Sequence, residues 1–332
     1  MTQKRRNCGA FCLRRTQAAR ILQVFEPLRL IGGVSYDHIR YPENTDLPPI
    51  SDKETSRELV APKGGLLFQP WKRGFLRADY SQSLGGLFFD NSVRLEPSQI
   101  AGFNQAFRSL IPESVAGLVP GTKFETAGVG FDQSFSSGTW LGAEAEWLTS
   151  DGRHTVGAPT NSLPAFLNIP DSSSSTTQTL DFRERDLSAY AAQLLGKWFS
   201  LTARYRLSEA NLNESFPDIT DTAVGLNHLE ANNRALLNQV GLGANFYHPS
   251  GFFAQWESVW YDQRNSGYSP PLADSNFWQH NIFVGYRFPR RYAEIRLGVL
   301  NLFDQDYNLN PLNLLGELPR TRTFTASLRL NF

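Results

Sequence analysis

The chain has 332 residues, 41% hydrophobic, 13% aromatic and 19% charged, and its 32 basic and 32 acidic side chains leave a formal charge of zero. Zero net charge excludes a general electrostatic pull on nucleic acid. The mean hydropathy is −0.35, and no stretch approaches the roughly 18 consecutive apolar residues of a spanning helix, which excludes a helical membrane protein.

The opening "MTQKRRNCGAFCLRRTQAARILQVF" carries Lys4, Arg5, Arg6, Arg14, Arg15 and Arg20 and no acid. A secretory signal follows its basic start with about 7–15 apolar residues. Arg14 and Arg15 interrupt any such run. Residues 1–26 are therefore expected to be a basic, disordered lead-in, or a gene start placed inside a longer protein. Cys8 and Cys12 are the only cysteines. With no second pair and no nearby His they make no zinc site. A cysteine-free body also suits an extracytoplasmic protein, which then cannot misoxidise.

From Leu28 to the end, twelve segments alternate apolar and polar with period two. They lie at 28–37, 60–69, 75–83, 127–132, 141–147, 186–195, 199–208, 240–246, 252–260, 278–288, 293–299 and 324–332. The segment at 199–208 sets Phe199, Leu201, Ala203, Tyr205 and Leu207 against Ser200, Thr202, Arg204, Arg206 and Ser208. Each predicted strand runs roughly 9–13 residues, the length of a tilted strand crossing a bilayer, whereas strands of soluble proteins run about 5–6. The connections alternate. Short ones fall at 69–74, 136–138, 196–197, 247–251 and 289–291, and long ones at 40–59, 85–122, 150–185, 208–234, 263–275 and 301–320. Tight turns on one side and long loops on the other mark a transmembrane antiparallel meander barrel, with apolar side chains toward lipid and polar ones lining a wet lumen. Residues 27–332 are thus expected to form an all-β outer-membrane barrel of about twelve strands.

Inside the long connections, "PDSSSSTTQT" at 170–179 reads as a flexible polar segment. At 99–121, Ile100, Phe103, Phe107 and Leu110 keep helical spacing, which predicts a short helix resting on the barrel rim or capping a ligand. Trp256, Trp260 and Tyr261 read as lipid-facing or interfacial aromatics, and His280 beside Trp278 as an interfacial histidine.

The chain closes with "RLGVLNLFDQDY" (residues 296–307) and "PRTRTFTASLRLNF" (residues 319–332). This ending resembles the C-terminal part of the barrel of TonB-dependent outer-membrane receptors. "GGVSYD" at 32–37, "APKGGLLFQP" at 61–70 and "LRADYSQSL" at 76–84 support it more loosely, so the resemblance covers roughly residues 28–332. It implies a penultimate strand running into a loop marked by Asn301, Leu302, Phe303, Asp304 and Tyr307. It also implies that the terminal strand, with Phe324, Leu328, Leu330 and Phe332, is the signal read by the outer-membrane assembly machinery. Family members carry a plug domain and a TonB-contacting box ahead of about 22 strands. Neither is in this sequence, and the strands are about half that number. The resemblance therefore implies a C-terminal portion of a barrel.

The implied function is TonB-dependent uptake of a scarce nutrient such as a metal chelate. A passive porin-like or secretion-associated barrel is the alternative. Expected partners are outer-membrane lipid, the assembly machinery, an unnamed small-molecule ligand and, given an upstream plug, the TonB system. No nucleic-acid partner and no cofactor are expected. Catalysis has little support. The five histidines are scattered, and there is no G-x-S-x-G and no phosphate-cradling glycine loop.

Overall fold

The computed structural model describes residues 12–44, 49–85, 99–104, 120–160, 172–219 and 230–331. Thirteen strands form one antiparallel sheet. They are β1 (Cys12–Phe25), β2 (Leu28–Asn44), β3 (Ser51–Trp71), β4 (Gly74–Leu84), β7 (Lys123–Ser134), β8 (Thr139–Thr160), β9 (Ser172–Leu195), β10 (Phe199–Ser215), β11 (Ala231–Tyr247), β12 (Phe252–Ser266), β13 (Ser275–Arg287), β14 (Ala293–Leu300) and β15 (Thr323–Leu330). A separate hairpin of β5 (Gln99–Ile100) and β6 (Phe103–Asn104) sits between β4 and β7 in sequence. Every strand of the large sheet pairs with the next one of that sheet along the chain, the meander that short turns impose. The sheet is open, with β1 and β15 at its two edges.

All twelve alternating segments are strands of this sheet. The thirteenth, β1, corrects the expectation of a disordered lead-in. Residues 12–25 pair with β2, from Cys12 opposite Arg40 to Phe25 opposite Leu28. The outward row of β1 includes Ala18, Arg20 and Leu22, aligned with Val34, Gly32 and Leu30. Arg20 in that row breaks the apolar pattern that sequence reading relies on. The sheet unit therefore begins before residue 27.

The strands near the long-loop end are also longer than expected. β8 and β9 have 22 and 24 residues and stay paired from Thr139–Gln193 to Thr160–Ser172. The polar stretch read as flexible thus belongs, from Ser172 on, to a strand. Asp218 helps hold it there. Its carboxylate accepts the Thr177 backbone N–H at 3.0 Å. Hydrogen bonds from the Thr177 hydroxyl and backbone keep that carboxyl below the usual range.

The two faces differ as alternation predicts. One register row on the outer face runs Leu201, Ala244, Trp256, Ile282, Val299 and Phe324 across six strands. Aromatics fringe this apolar band at both levels. Tyr36, Tyr80, Trp147, Tyr205 and Trp278 lie toward the long connections, and Trp71, Phe75, Trp140, Phe199, Phe252 and Tyr286 toward the turns, all exposed. Their polar ends find partners, as interfacial rings require: Tyr205 Oη donates to Asn238 at 3.0 Å and Trp71 Nε1 to Gln133 at 2.6 Å. Tyr261 departs from its expected place. It sits on the opposite parity from Trp260 and is buried inside, stacked on Phe277 at 5.2 Å.

Candidate functional site

The inner face begins as a ladder of charged side chains whose reach depends on missing side chains between them. Arg77 of β4 lies opposite Gly130 of β7, and Gly130 lies opposite Glu144 of β8. With no Cβ in the way, Arg77 crosses β7. Its Nε donates to Asp132 at 2.9 Å and its Nη2 to Glu144 at 2.6 Å. A Cβ on Gly130 would lie 3.1 Å from Arg77 Nε. Gly142, on the next strand, leaves the same kind of gap, because Tyr190 of β9 passes over it to donate to Asp132 at 2.9 Å. Further along, Arg206 of β10 donates twice to Asp186 of β9, at 2.7 and 3.1 Å. Near the turns, Arg287 pairs with Glu294 at 2.8 Å, and Arg296 stacks over Phe283 at 3.7 Å. The wall carries both signs of charge, mostly paired, and is half-shielded from solvent.

Two connecting segments turn back onto this wall. The first is the β5–β6 hairpin. Ala101 and Gly102 both have positive φ, 49° and 92°, the geometry of a two-residue type I′ turn. The turn puts Ile100 and Phe103 side by side, both buried. Their seat is again made by glycine. Ile100 lies over Gly65, where a Cβ would come within 2.7 Å of its Cγ2, and Phe103 lies over Gly128, within 2.5 Å of its Cδ1. Arg77 clamps the tip. Its guanidinium is 4.7 Å from the Phe103 ring centroid, and its Nη1 donates to Ala101 O at 3.4 Å. The expected helix is thus corrected at its first turn, where Ile100 and Phe103 belong to a hairpin. Phe107 and Leu110 lie outside the described residues.

The second segment is the connection after β14. The motif residues Asn301 to Tyr307 build its first bend. Asn301 and Asp304 have φ of 50° and 56°. The Asn301 side chain, fully buried, accepts the Gln305 N–H at 2.8 Å and donates to Gln305 O at 2.9 Å and Pro319 O at 3.1 Å. Leu302 N–H donates to His280 O at 2.8 Å, and Leu302 O accepts Arg322 Nε at 2.9 Å. Asp304 accepts the Arg322 N–H at 2.6 Å. Tyr307 stacks on Phe277 at 5.4 Å and donates to Leu318 O at 2.5 Å. Phe303 faces outward, edge-on to His280 at 5.1 Å, and His280 also stacks with Trp278. The motif therefore ties a knot that joins β13, β14 and the approach to β15.

Beyond the knot, residues 309–314 dive inside. Leu312 packs with Leu148, Leu180, Phe182 and Leu212. Leu309 and Leu314 pack with Leu237, Tyr261 and Phe277. Amides do the positioning. Gln263 donates to Asn310 O and Asn313 Oδ1, both at 2.8 Å, and accepts the Asn310 N–H at 2.6 Å. Asn313 donates to Ser208 O and Ala235 O, both at 2.9 Å. Asn310 also donates to Tyr268 Oη at 2.5 Å, and burial pushes the Tyr268 hydroxyl up from its ordinary pKa.

Of the terminal residues, Phe324, Leu328 and Leu330 lie exposed on β15, and Phe332 is outside the described residues. The glycine seats and the Gln263–Asn310–Asn313 network were not singled out from sequence. A usable signal was present in Gly128, Gly130 and Gly142, which fall on the polar parity of strands that otherwise carry charge there. Among the described residues no group of His, Cys, Asp and Glu is placed to hold a metal.

No family model matches the chain, and no curated protein matches it in sequence. Solved structures do match its shape. The ferripyoverdine receptor of the outer membrane of Pseudomonas aeruginosa superposes with a TM-score of 0.55 at 13% identity, over 87% of this chain and 40% of the receptor. The sheet has the fold of part of an outer-membrane barrel. The FrpB iron transporter of Neisseria meningitidis gives 0.55 at 13% identity, over 96% and 45% of the two chains. BauA, the ferric preacinetobactin receptor of Acinetobacter baumannii, gives 0.51 at 11%, over 97% and 51%. The chain thus spans about half or less of the length of these three proteins.

Proposed function

We propose that this chain is the C-terminal part of an outer-membrane receptor that takes up a scarce nutrient, with a ferric chelate as the favoured class. One observation supports the reading most. Behind an apolar belt, the polar inner wall is occupied by two loop segments of its own chain. Segments held there narrow the lumen and present side chains at close range, which suits a receptor that must hold and release a large ligand. In this reading the long connections face outside and the tight turns face the periplasm. The assembly machinery reads the last strand through Phe324, Leu328, Leu330 and Phe332. Energy coupling through TonB needs a plug supplied by residues other than these.

The direct test is uptake of labelled ferric chelates by cells lacking their own receptors. The chain alone is expected to support none, and TonB-dependent uptake by it would show that no plug is needed. Steady single-channel conductance in a planar bilayer would favour the passive porin-like alternative. The membrane placement has its own check. Leu201→Arg or Leu297→Arg, on the exposed outer face, should each cost about 2–4 kcal/mol on refolding into bilayers, and Thr202→Arg on the lumen side much less. Equal costs on both parities would count against a bilayer-spanning sheet. Protease added to intact cells should cut in the long connections at 161–171 or 220–229 and spare the turn at 248–251.

A further inference from the structure

The two ends of the sheet keep their cations in different company. Toward the long connections, cations and acids are interspersed. Lys53 pairs with Glu43 at 3.1 Å, Lys123 with Glu125 at 2.5 Å and Arg234 with Glu209 at 2.7 Å. Arg183 and Arg185 share the outer face of β8 and β9 with Asp151 and Asp181. The tight turns are one-sided. They hold Lys72, Arg73, Lys197, Arg290 and Arg291 against a single acid, Glu26, in a chain whose formal charge is zero. Lys72, Arg73, Lys197 and Arg290 are all exposed, and among the described residues none of their side chains has an ion-pair or hydrogen-bond partner.

Each of these turns also sets its cation beside an exposed ring. Trp71 precedes Lys72, Trp198 follows Lys197, and Tyr292 lies two residues after Arg290; the three rings are 51%, 45% and 54% exposed. Packing fixes each ring. Trp71 donates to Gln133 and meets Phe131 at 6.2 Å, Trp198 stands edge-on to His248 at 5.4 Å, and Tyr292 meets Phe288 at 5.7 Å. Rings of this kind settle at the boundary between acyl chains and headgroups, so the neighbouring cations stand at headgroup level. The three turns join β3 to β4, β9 to β10 and β13 to β14, and successive ones lie four strands apart in the sheet. At about 4.8 Å per strand they are spaced by about 19 Å. Cations so far apart do not converge on one small ligand. They meet separate members of a layer that runs along the whole sheet.

We infer that the tight-turn end is a docking surface for anionic phospholipid headgroups in the leaflet that surrounds it. The inference rests on the membrane-spanning reading above. Phosphate oxygens accept from Lys and Arg, with Trp71, Trp198 and Tyr292 anchoring the rim beside them. Each cation near an anionic surface is worth roughly a fivefold gain in association, so the surface selects headgroups by charge and holds the turns level with their leaflet.

Spin-labelled lipids test this. The chain is refolded into phosphatidylcholine vesicles carrying a trace of spin-labelled phosphatidylglycerol or spin-labelled phosphatidylcholine, and the immobilised fraction of each is measured. Phosphatidylglycerol should be held several-fold more tightly at low salt, and the preference should fall in 1 M salt. The variant Lys72→Gln, Arg73→Asn, Lys197→Gln, Arg290→Asn should lose it; Asn suits the positive φ of 67° and 57° at positions 73 and 290. The charge-matched variant Lys53→Gln, Lys123→Gln, Arg234→Gln, Arg264→Gln should keep it. Immobilised lipid without headgroup preference, or equal loss in both variants, would overturn the inference while leaving the spanning sheet in place. No immobilised lipid of either kind would sink the spanning reading and this inference together. Turn-dependent binding of polyglutamate without any headgroup preference would show that the turns dock an acidic protein segment instead.

Discussion

The hairpin at 99–104 and the segment at 309–314 both return to the inner wall, and they are held by different chemistry. The hairpin is seated by shape. Two apolar side chains fill hollows over Gly65 and Gly128, and a single cation, Arg77, clamps the tip. The other segment is held by buried amides that bond the backbones of β10 and β11 and the side chain of Gln263. Packing over a smooth glycine floor has few directional bonds to break, so such a segment can leave and return as a unit. A buried amide network has nowhere else to find partners, and losing one member strands the rest. The first segment therefore has the character of a detachable tongue and the second of a permanent wall.

The largest effect should come from breaking the network. Asn313→Ala removes two donors to buried carbonyls and leaves Gln263 short of an acceptor, so it should cost about 3 kcal/mol in urea unfolding, several times a surface substitution. Combining it with Gln263→Ala should cost clearly less than the sum, because the two share partners. Gly128→Leu comes next. It fills the hollow under Phe103 and should expel the hairpin while the sheet stays paired, at a cost of about 1–3 kcal/mol. Faster hydrogen exchange at Ile100–Phe103, with exchange in β10 and β11 unchanged, is the expected sign. If β10 exchanges faster too, the two segments are one cooperative unit and the contrast fails.

Arg77→Met should have a smaller effect, about 1 kcal/mol, because Asp132 and Glu144 keep partial contact with water. It should loosen the hairpin without moving residues 309–314. The smallest effect concerns Tyr268. Its raised pKa means that the folded state keeps the hydroxyl proton longer than the unfolded chain does. Stability from this group is therefore full below about pH 10 and declines as pH rises through the folded-state pKa. Tyr268→Phe should reduce that alkaline slope, and an unchanged slope would mean that the Tyr268 hydroxyl is not buried in the folded state.

How much of this was legible before the fold was known depended on the range of the signal. Alternation is local, and it found twelve strands and both parities. It missed β1 because Arg20 stands where an apolar residue was expected. It misread Ile100 and Phe103 because a spacing of three joins the flanks of a two-residue turn as well as successive turns of a helix. Tyr261 followed two tryptophans into the wrong face, although its parity differs from theirs by one. The inner network was out of reach. Asn313 meets Ser208 and Ala235 across 105 and 78 residues of chain, and only the register of five strands brings them together. The closing motif was recognised as a marker, while its work of knotting the chain through Asn301 and Asp304 appeared only with the backbone geometry.

The length of β8 and β9 carries a consequence for how a cell displays this protein. At about 3.3 Å per residue, 24 residues of β9 reach nearly 80 Å, whereas a tilted crossing uses about 9–11 residues. More than half of β9 therefore exceeds the length of one crossing, and past Thr179, where pairing with β10 ends, β8 and β9 continue as a two-strand ribbon to Thr160 and Ser172. On the proposed placement of the long connections outside, this ribbon carries the chain well beyond the aromatic fringe at Trp147. Along it the backbone pairing, unbroken from Thr139–Gln193 to Thr160–Ser172, sets the shape independently of which side chains it displays.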